Sequence, residues 1–167
     1  MLRPLPLPQP ERLFTLASPG IEQPGSEAPG ERESFSYPLY LRFRSVAESS
    51  ARLALFSFSV RREARISDAA APLEHIITQF VSGDAFQILG VRPALGRLLS
   101  AEDDRTPGGH YVAVLSYEFW RRRFGADPAI LGRTIRLGGE LGNKSYFVVG
   151  VARDGFFGIE PGRFVDL

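Results

Sequence analysis

The sequence predicts an α+β fold, and three observations carry that expectation. Stretches with alternating apolar and polar residues, the period-two mark of strands with one wet face, stand beside stretches with apolar residues at helical spacing. The two kinds follow one another without the regular strand–helix–strand repeat of a parallel α/β sheet. Seventeen glycines and thirteen prolines cut the 167 residues into short pieces, so the elements are expected to be short and joined by turns.

Residues 3–10 alternate proline with other residues. Proline fixes φ and drives its predecessor toward extended geometry, so a stiff polyproline-like strap is expected. Residues 13–17 read as a first strand. Residues 18–33, rich in Gly, Pro, Ser and Glu, read as an exposed loop. Ser36 is placed to cap a helix whose apolar positions Leu39, Phe43 and Val46 fall at i, i+4 and i+7. Phe56, Phe58 and Val60 alternate with polar neighbours as a strand does. A turn over 66–72 then leads to a second strand over 74–81, with Ile76 and Phe80 on one face.

Residues 84–89 read as a short helix stopped by Gly90. Ser100-Ala-Glu-Asp103 has the form of a capping box, a device for starting a helical turn. Residues 112–115 read as a buried strand. Ser116 caps a helix that puts Tyr117, Trp120 and Phe124 on one face, and Gly125 ends it. Asp127-Pro128 starts another helical turn through Leu131. Residues 134–137 and 146–151 are expected to pair as a hairpin across a loop containing Gly and Asn.

Several kinds of chemistry are excluded or unsupported. The formal net charge is +1, too little for the basic surface that phosphate binding needs, so no nucleic-acid partner is expected. Arg121, Arg122 and Arg123 flank aromatics, but helical spacing turns Trp120 and Phe124 inward and Arg122 nearly opposite. Cysteine is absent, which removes disulfides, thiolate catalysis and cysteine metal sites. His75 and His110 are the two histidines, and neither sits in a nucleophile-elbow or metal motif. Glu102, Asp103 and Asp104 are three consecutive carboxylates that point in different directions, and helix initiation accounts for them more simply than a metal does. Phosphate-cradling glycine motifs are missing as well. No apolar run approaches the roughly 20 residues that span a bilayer, and no signal peptide is read at the N-terminus. From residue chemistry alone the chain is a mixed domain without a visible active site.

A resemblance goes further. Residues 81–104 read VSGDAFQILGVRPALGRLLSAEDD, residues 112–137 read VAVLSYEFWRRRFGADPAILGRTIRL, and residues 146–151 read YFVVGV. In content and order these blocks resemble the MacB-like periplasmic core domain of FtsX-type ABC-transporter permeases, and in particular an acidobacterial-type group of unassigned permeases. LRPLPLPQPERLFTL resembles the segment that follows the first membrane helix in that group, and YPLYLRFR resembles its first helix. The matching signature positions are Gly90, Pro93, Gly96, Arg97, Asp103, Trp120, Phe124, Gly125, Pro128, Gly132 and Gly150, all read as structural and none as catalytic, cofactor-binding or metal-binding. Two departures stand out: the loop over 138–145 is longer than usual, and the sequence stops at Leu167 where family members continue.

The resemblance implies a two-lobed extracytoplasmic domain with mixed sheet and short helices, its outer lobe incomplete. It implies a strap, first strand and exposed loop over 1–34 and a core domain over 35–167, best defined over about 80–151. It further implies a place on the periplasmic face of the bacterial inner membrane and no catalysis in the domain. ATP would bind a separate cytoplasmic ABC ATPase, and the other partners would be the permease's membrane helices and a second permease copy. The substrate is not implied, because members export drugs, toxins or lipoproteins, or act in signalling. A free-standing binding or adaptor domain derived from such a permease is the alternative. The reading frame on either side of the chain discriminates the two.

Overall fold

The computed structural model describes residues 7, 9–17, 34–66, 72–106, 108–138, 143–160 and 162–167. Their regular structure comprises helices α1 (Tyr37–Ala47), α2 (Ala85–Ile88) and α3 (Tyr117–Phe124), with 3-10 turns at Pro10–Arg12 and Pro128–Ile130. The strands are β1 (Val60–Ile66), β2 (Glu74–Thr78), β3 (Pro93–Gly96), β4 (Val112–Leu115), β5 (Thr134–Leu137) and β6 (Lys144–Ala152). All six lie in one sheet, ordered β2-β1-β5-β6-β3, with β4 also paired to β6. Every pairing is antiparallel except that of β4 with β6. The sheet is mixed and the helices short, so the fold is α+β as the element order predicts.

β6 organises the sheet because it carries three neighbours. Residues Lys144 to Phe147 pair with β5, Gly150 to Ala152 pair with β3, and β4 runs along the remaining edge from Phe147 to Val151. Such a central strand must be apolar on both faces, and its YFVVGVA run meets that need. Val148 and Val151 are buried in one cluster with Leu115, Phe119, Ile130, Ile135 and Leu137. Val149 and Ala152 join a second cluster with Leu7, Leu89, Val91, Val114 and Phe156. Fully burying one such aliphatic side chain stabilises the fold by roughly 1.5–3 kcal/mol.

Local signals between residues 84 and 137 are realised closely. Gly90 follows α2 at φ 65°. Ser116 caps α3 by accepting from the Phe119 N–H, and Gly125 closes it in the left-handed conformation. Asp127 accepts from the Ala129 N–H above the 3-10 turn, with Pro128 at its first position. β5 and β6 form the expected hairpin.

Elsewhere the structure corrects the reading. Residues 13–17 take no place in the sheet, and Phe14 is 90% exposed. A strand needs a neighbour to bond, and among the described residues this segment pairs with none. α1 forms where expected, yet it buries Tyr40 and leaves Val46 83% exposed. The strand expected over 56–60 begins only at Val60. Phe56 makes one isolated bridge to Val81, and Phe58 is exposed. The second strand ends at Thr78, because the Phe80 backbone turns to Ser57 instead. Of the capping box at Ser100 only one bond forms, from the Ser100 N–H to the Asp103 carboxylate, and the segment is a turn, not a helix. The 18–33 loop, the 67–71 part of the turn and most of the strap lie outside the described residues.

Candidate functional site

The signature positions fall into two groups held together by β6. In the first, Gly96 and Gly150 face each other across the β3–β6 pair. A Cβ on Gly150 would strike the Arg97 backbone, and one on Gly96 would strike the Val149 carbonyl. Gly96 also sits at φ 63°, a conformation glycine adopts without steric cost. Pro93 opens β3 opposite Ala152, at a strand start where a missing N–H is tolerated.

The close backbone approach aims the Arg97 side chain at the following turn. Its guanidinium donates two hydrogen bonds to the Asp103 carboxylate, at 2.7 and 2.8 Å. Asp103 also accepts from the Ser100 N–H at 2.9 Å and the Ser100 hydroxyl at 3.2 Å. The Arg97 guanidinium, helped by the Ser100 donors, holds the Asp103 carboxyl below the usual carboxylate range. The Asp103 side chain is only 9% exposed against 52% for Arg97, so the pair is a half-buried bidentate clamp. Such pairs add geometric specificity as well as energy.

Asp104, next along the turn, reaches elsewhere. Its carboxylate accepts from the Tyr37 hydroxyl at 2.8 Å and from the Gly83 N–H at 3.3 Å. Burial and the Asp104 carboxylate push the Tyr37 phenol up to about 12. The three consecutive carboxylates therefore serve different partners: Asp103 clamps Arg97, Asp104 ties α1 to the turn, and Glu102 pairs with Arg105.

The second group surrounds α3. Trp120 is buried, meets Tyr117 edge-on at 5.7 Å between centroids, and donates its indole N–H to the Asp127 carbonyl at 2.9 Å. Phe124 packs edge-on against Phe119. The Gly132 N–H donates to the Val148 carbonyl at 2.8 Å, which ties the end of the Pro128 turn to β6. The arginines are accounted for on the surface: Arg122 pairs with Asp166, Arg123 with Glu74 and Arg121 with Glu118. His75 and His110 are both exposed and lie in different parts of the fold.

The sequence reading missed two long-range ties. Glu160 accepts from the Ser59 N–H and hydroxyl, and Arg163 donates to the Ser59 carbonyl at 3.2 Å. Residues 165–167 lie along β2, where the Asp166 and Leu167 N–H groups donate to the Ile77 carbonyl and the Gln79 N–H donates to the Leu167 carbonyl. No local signal announces pairs so far apart. Among the described residues no helix is long and apolar enough to cross a membrane, and no group of three His, Cys, Asp or Glu could hold a metal. The arrangement is a network of structural clamps.

Comparison with known proteins fits that picture. The chain matches the family of MacB-like periplasmic core domains over residues 6–166 and belongs to it. Its class is the periplasmic domain of MacB/FtsX-like ABC-transporter permeases. The periplasmic region of MacB from Actinobacillus actinomycetemcomitans has a similar fold, with TM-score 0.52 and 18% identity, over 66% of this chain and 48% of that one. A domain of a protein described as a permease, from Porphyromonas gingivalis, gives TM-score 0.46 and 13% identity over 66% and 44% of the two chains. The chain thus spans about half the length of the solved regions it matches. No curated protein matches it.

Proposed function

We propose that this domain relays ATP-driven motion of a permease to a substrate or partner outside the membrane and performs no catalysis itself. Membership of the family over residues 6–166 carries the reading. In it, ATP is bound and hydrolysed by a separate cytoplasmic ABC ATPase, so this chain needs no cofactor. Its partners are the permease's membrane helices, that ATPase and a second permease copy. Residues 35–167 form the core domain, and the signature positions from Gly90 to Gly150 act by fixing its shape.

A relay has to carry displacement without deforming, and the construction suits that task. Glycine contacts without room for a Cβ and a bidentate clamp resist small shifts, because packed interiors switch between discrete arrangements instead of deforming continuously. The test is made on the complete permease with its ATPase, reconstituted in lipid. Antibody fragments that saturate this domain are expected to change ATP turnover severalfold, because an outer domain coupled to the ATPase must feed back on it. Unchanged turnover with each of several such binders overturns the relay.

A further inference from the structure

β4 and residues 78–81 both line a cavity of about 290 Å³. Phe86, Leu115, Phe156 and Leu167 make its lining largely apolar, and exposed Phe80 and His110 mark where it meets solvent. An engineered apolar cavity of about 150 Å³ stays dry and binds benzene, so this one has room for a body of roughly a dozen carbons.

Three rings of the lining stand together. Tyr146 lies 5.6 Å from Tyr111 and 6.4 Å from Phe80 between centroids. Each outer ring carries a cation. The Arg62 guanidinium lies over Phe80 at 5.7 Å, and the Lys144 ammonium lies over Tyr111 at 4.8 Å and donates to its hydroxyl at 2.7 Å. Tyr146, between them, feels both: burial and Tyr111 raise its phenol, while Lys144 and Arg62 pull it back.

Strand register puts both cations on the face of the sheet that carries the core. Arg62 stands opposite Ile76 and Lys144 opposite Leu137, and Ile76 and Leu137 are buried. Charged groups beside a core ordinarily have an acidic partner. Among the described residues neither cation has one, and the Arg62 Nε–H is buried without an acceptor. The carboxylates that reach the cavity are engaged, Asp103 by Arg97 and Asp104 by Tyr37 and the Gly83 N–H. Unpaired positive charge beside apolar room is the complement of an amphiphilic anion, and a guanidinium fork matches a carboxylate in particular.

We propose that the cavity binds a single-chain amphiphilic carboxylate of the fatty-acid type, its alkyl body among Phe86, Leu115 and Leu167 and its carboxylate on Arg62 and Lys144 beside Tyr146. One chain fits the volume, whereas the two chains of a phospholipid exceed it. Binding needs neither membrane helices nor an ATPase, so it stands or falls apart from the relay.

Calorimetric titration of the purified chain with dodecanoate, kept below its micelle-forming concentration, tests it. Saturable binding with a raised Tm is expected. Dodecanol and dodecyltrimethylammonium are expected to bind at least about tenfold more weakly. Arg62→Gln and Lys144→Gln are each expected to weaken dodecanoate about tenfold while leaving dodecanol unchanged. Lys144 is exposed, so its variant keeps the fold whatever becomes of Arg62→Gln. In NMR spectra the ring signals of Phe80, Tyr111 and Tyr146 are expected to move with occupancy. Absence of saturable dodecanoate binding overturns the proposal. So does dodecanol binding as tightly, indifference to Lys144→Gln, or binding that leaves the three rings unmoved.

Discussion

α1 and α3 start alike and end differently. Each opens after an extended serine, Ser36 at ψ 150° and Ser116 at ψ 151°, with tyrosine as the first helical residue. α3 then buries Phe119 and Trp120 against β6 and closes on Gly125. α1 buries only Tyr40, has no side-chain bond at its cap and runs on into Glu48 still in helical geometry. Leu39 and Leu41, each 37% exposed, and Val46 remain at the surface. The lesson is that start signals are written locally, whereas burial of a face depends on what the rest of the chain brings to it.

The largest expected effect tests the packed member of the pair. Trp120→Ala is expected to cost about 3–5 kcal/mol in denaturant unfolding, since it removes a buried ring and its bond to the Asp127 carbonyl. The same truncation at exposed Val46 of α1 is expected to fall within about 0.5 kcal/mol. Equal losses would erase the contrast. In the intact chain Trp120 emission is expected to be blue-shifted and shielded from iodide.

A smaller effect sharpens how α1 is held. Arg97 keeps the Asp103 carboxyl below its ordinary value, so the clamp's contribution is full above about pH 4 and is lost as pH falls through the depressed native value. Asp103→Asn is expected to cost about 2 kcal/mol near neutrality, with the gap to the parent chain narrowing in acid. Asp104 in the same turn accepts from Tyr37 at the start of α1. Loosening the turn is therefore expected to raise amide exchange in α1 while leaving α3 protected.

The smallest pair of effects isolates the caps. Ser116→Ala removes an acceptor for the Phe119 N–H and is expected to cost about 1 kcal/mol. Ser36→Ala removes no such bond and is expected to stay within about 0.5 kcal/mol. Paired thermal melts decide the matter.

The same division explains how much was legible in the sequence. The α+β class, α2 to Gly90, β4, α3 and the β5–β6 hairpin were readable, because their signals act over a few residues. Asp103 was readable as a cap, but not as the partner of Arg97, since nothing in a single sequence says that β3 will aim Arg97 at that turn. Phe119 was missed beside Trp120 because α3 presents an underside wider than one helical stripe. Residues 13–17 misled, since a short apolar stretch does not supply the neighbour that a strand needs. The family was visible in the ordered blocks, whereas the clamps Ser59–Glu160 and Ile77–Asp166 join residues too far apart for any local pattern.

β6 has a consequence for how the domain is joined. One of its edges is divided, with β5 bonded up to Phe147 and β3 from Gly150. Across the gap the Gly132 and Arg97 N–H groups donate to the Val148 and Val149 carbonyls. Those bonds are the stitching of a seam. Val148 and Val149 thus join the half of β6 that pairs with β5 to the half that pairs with β3.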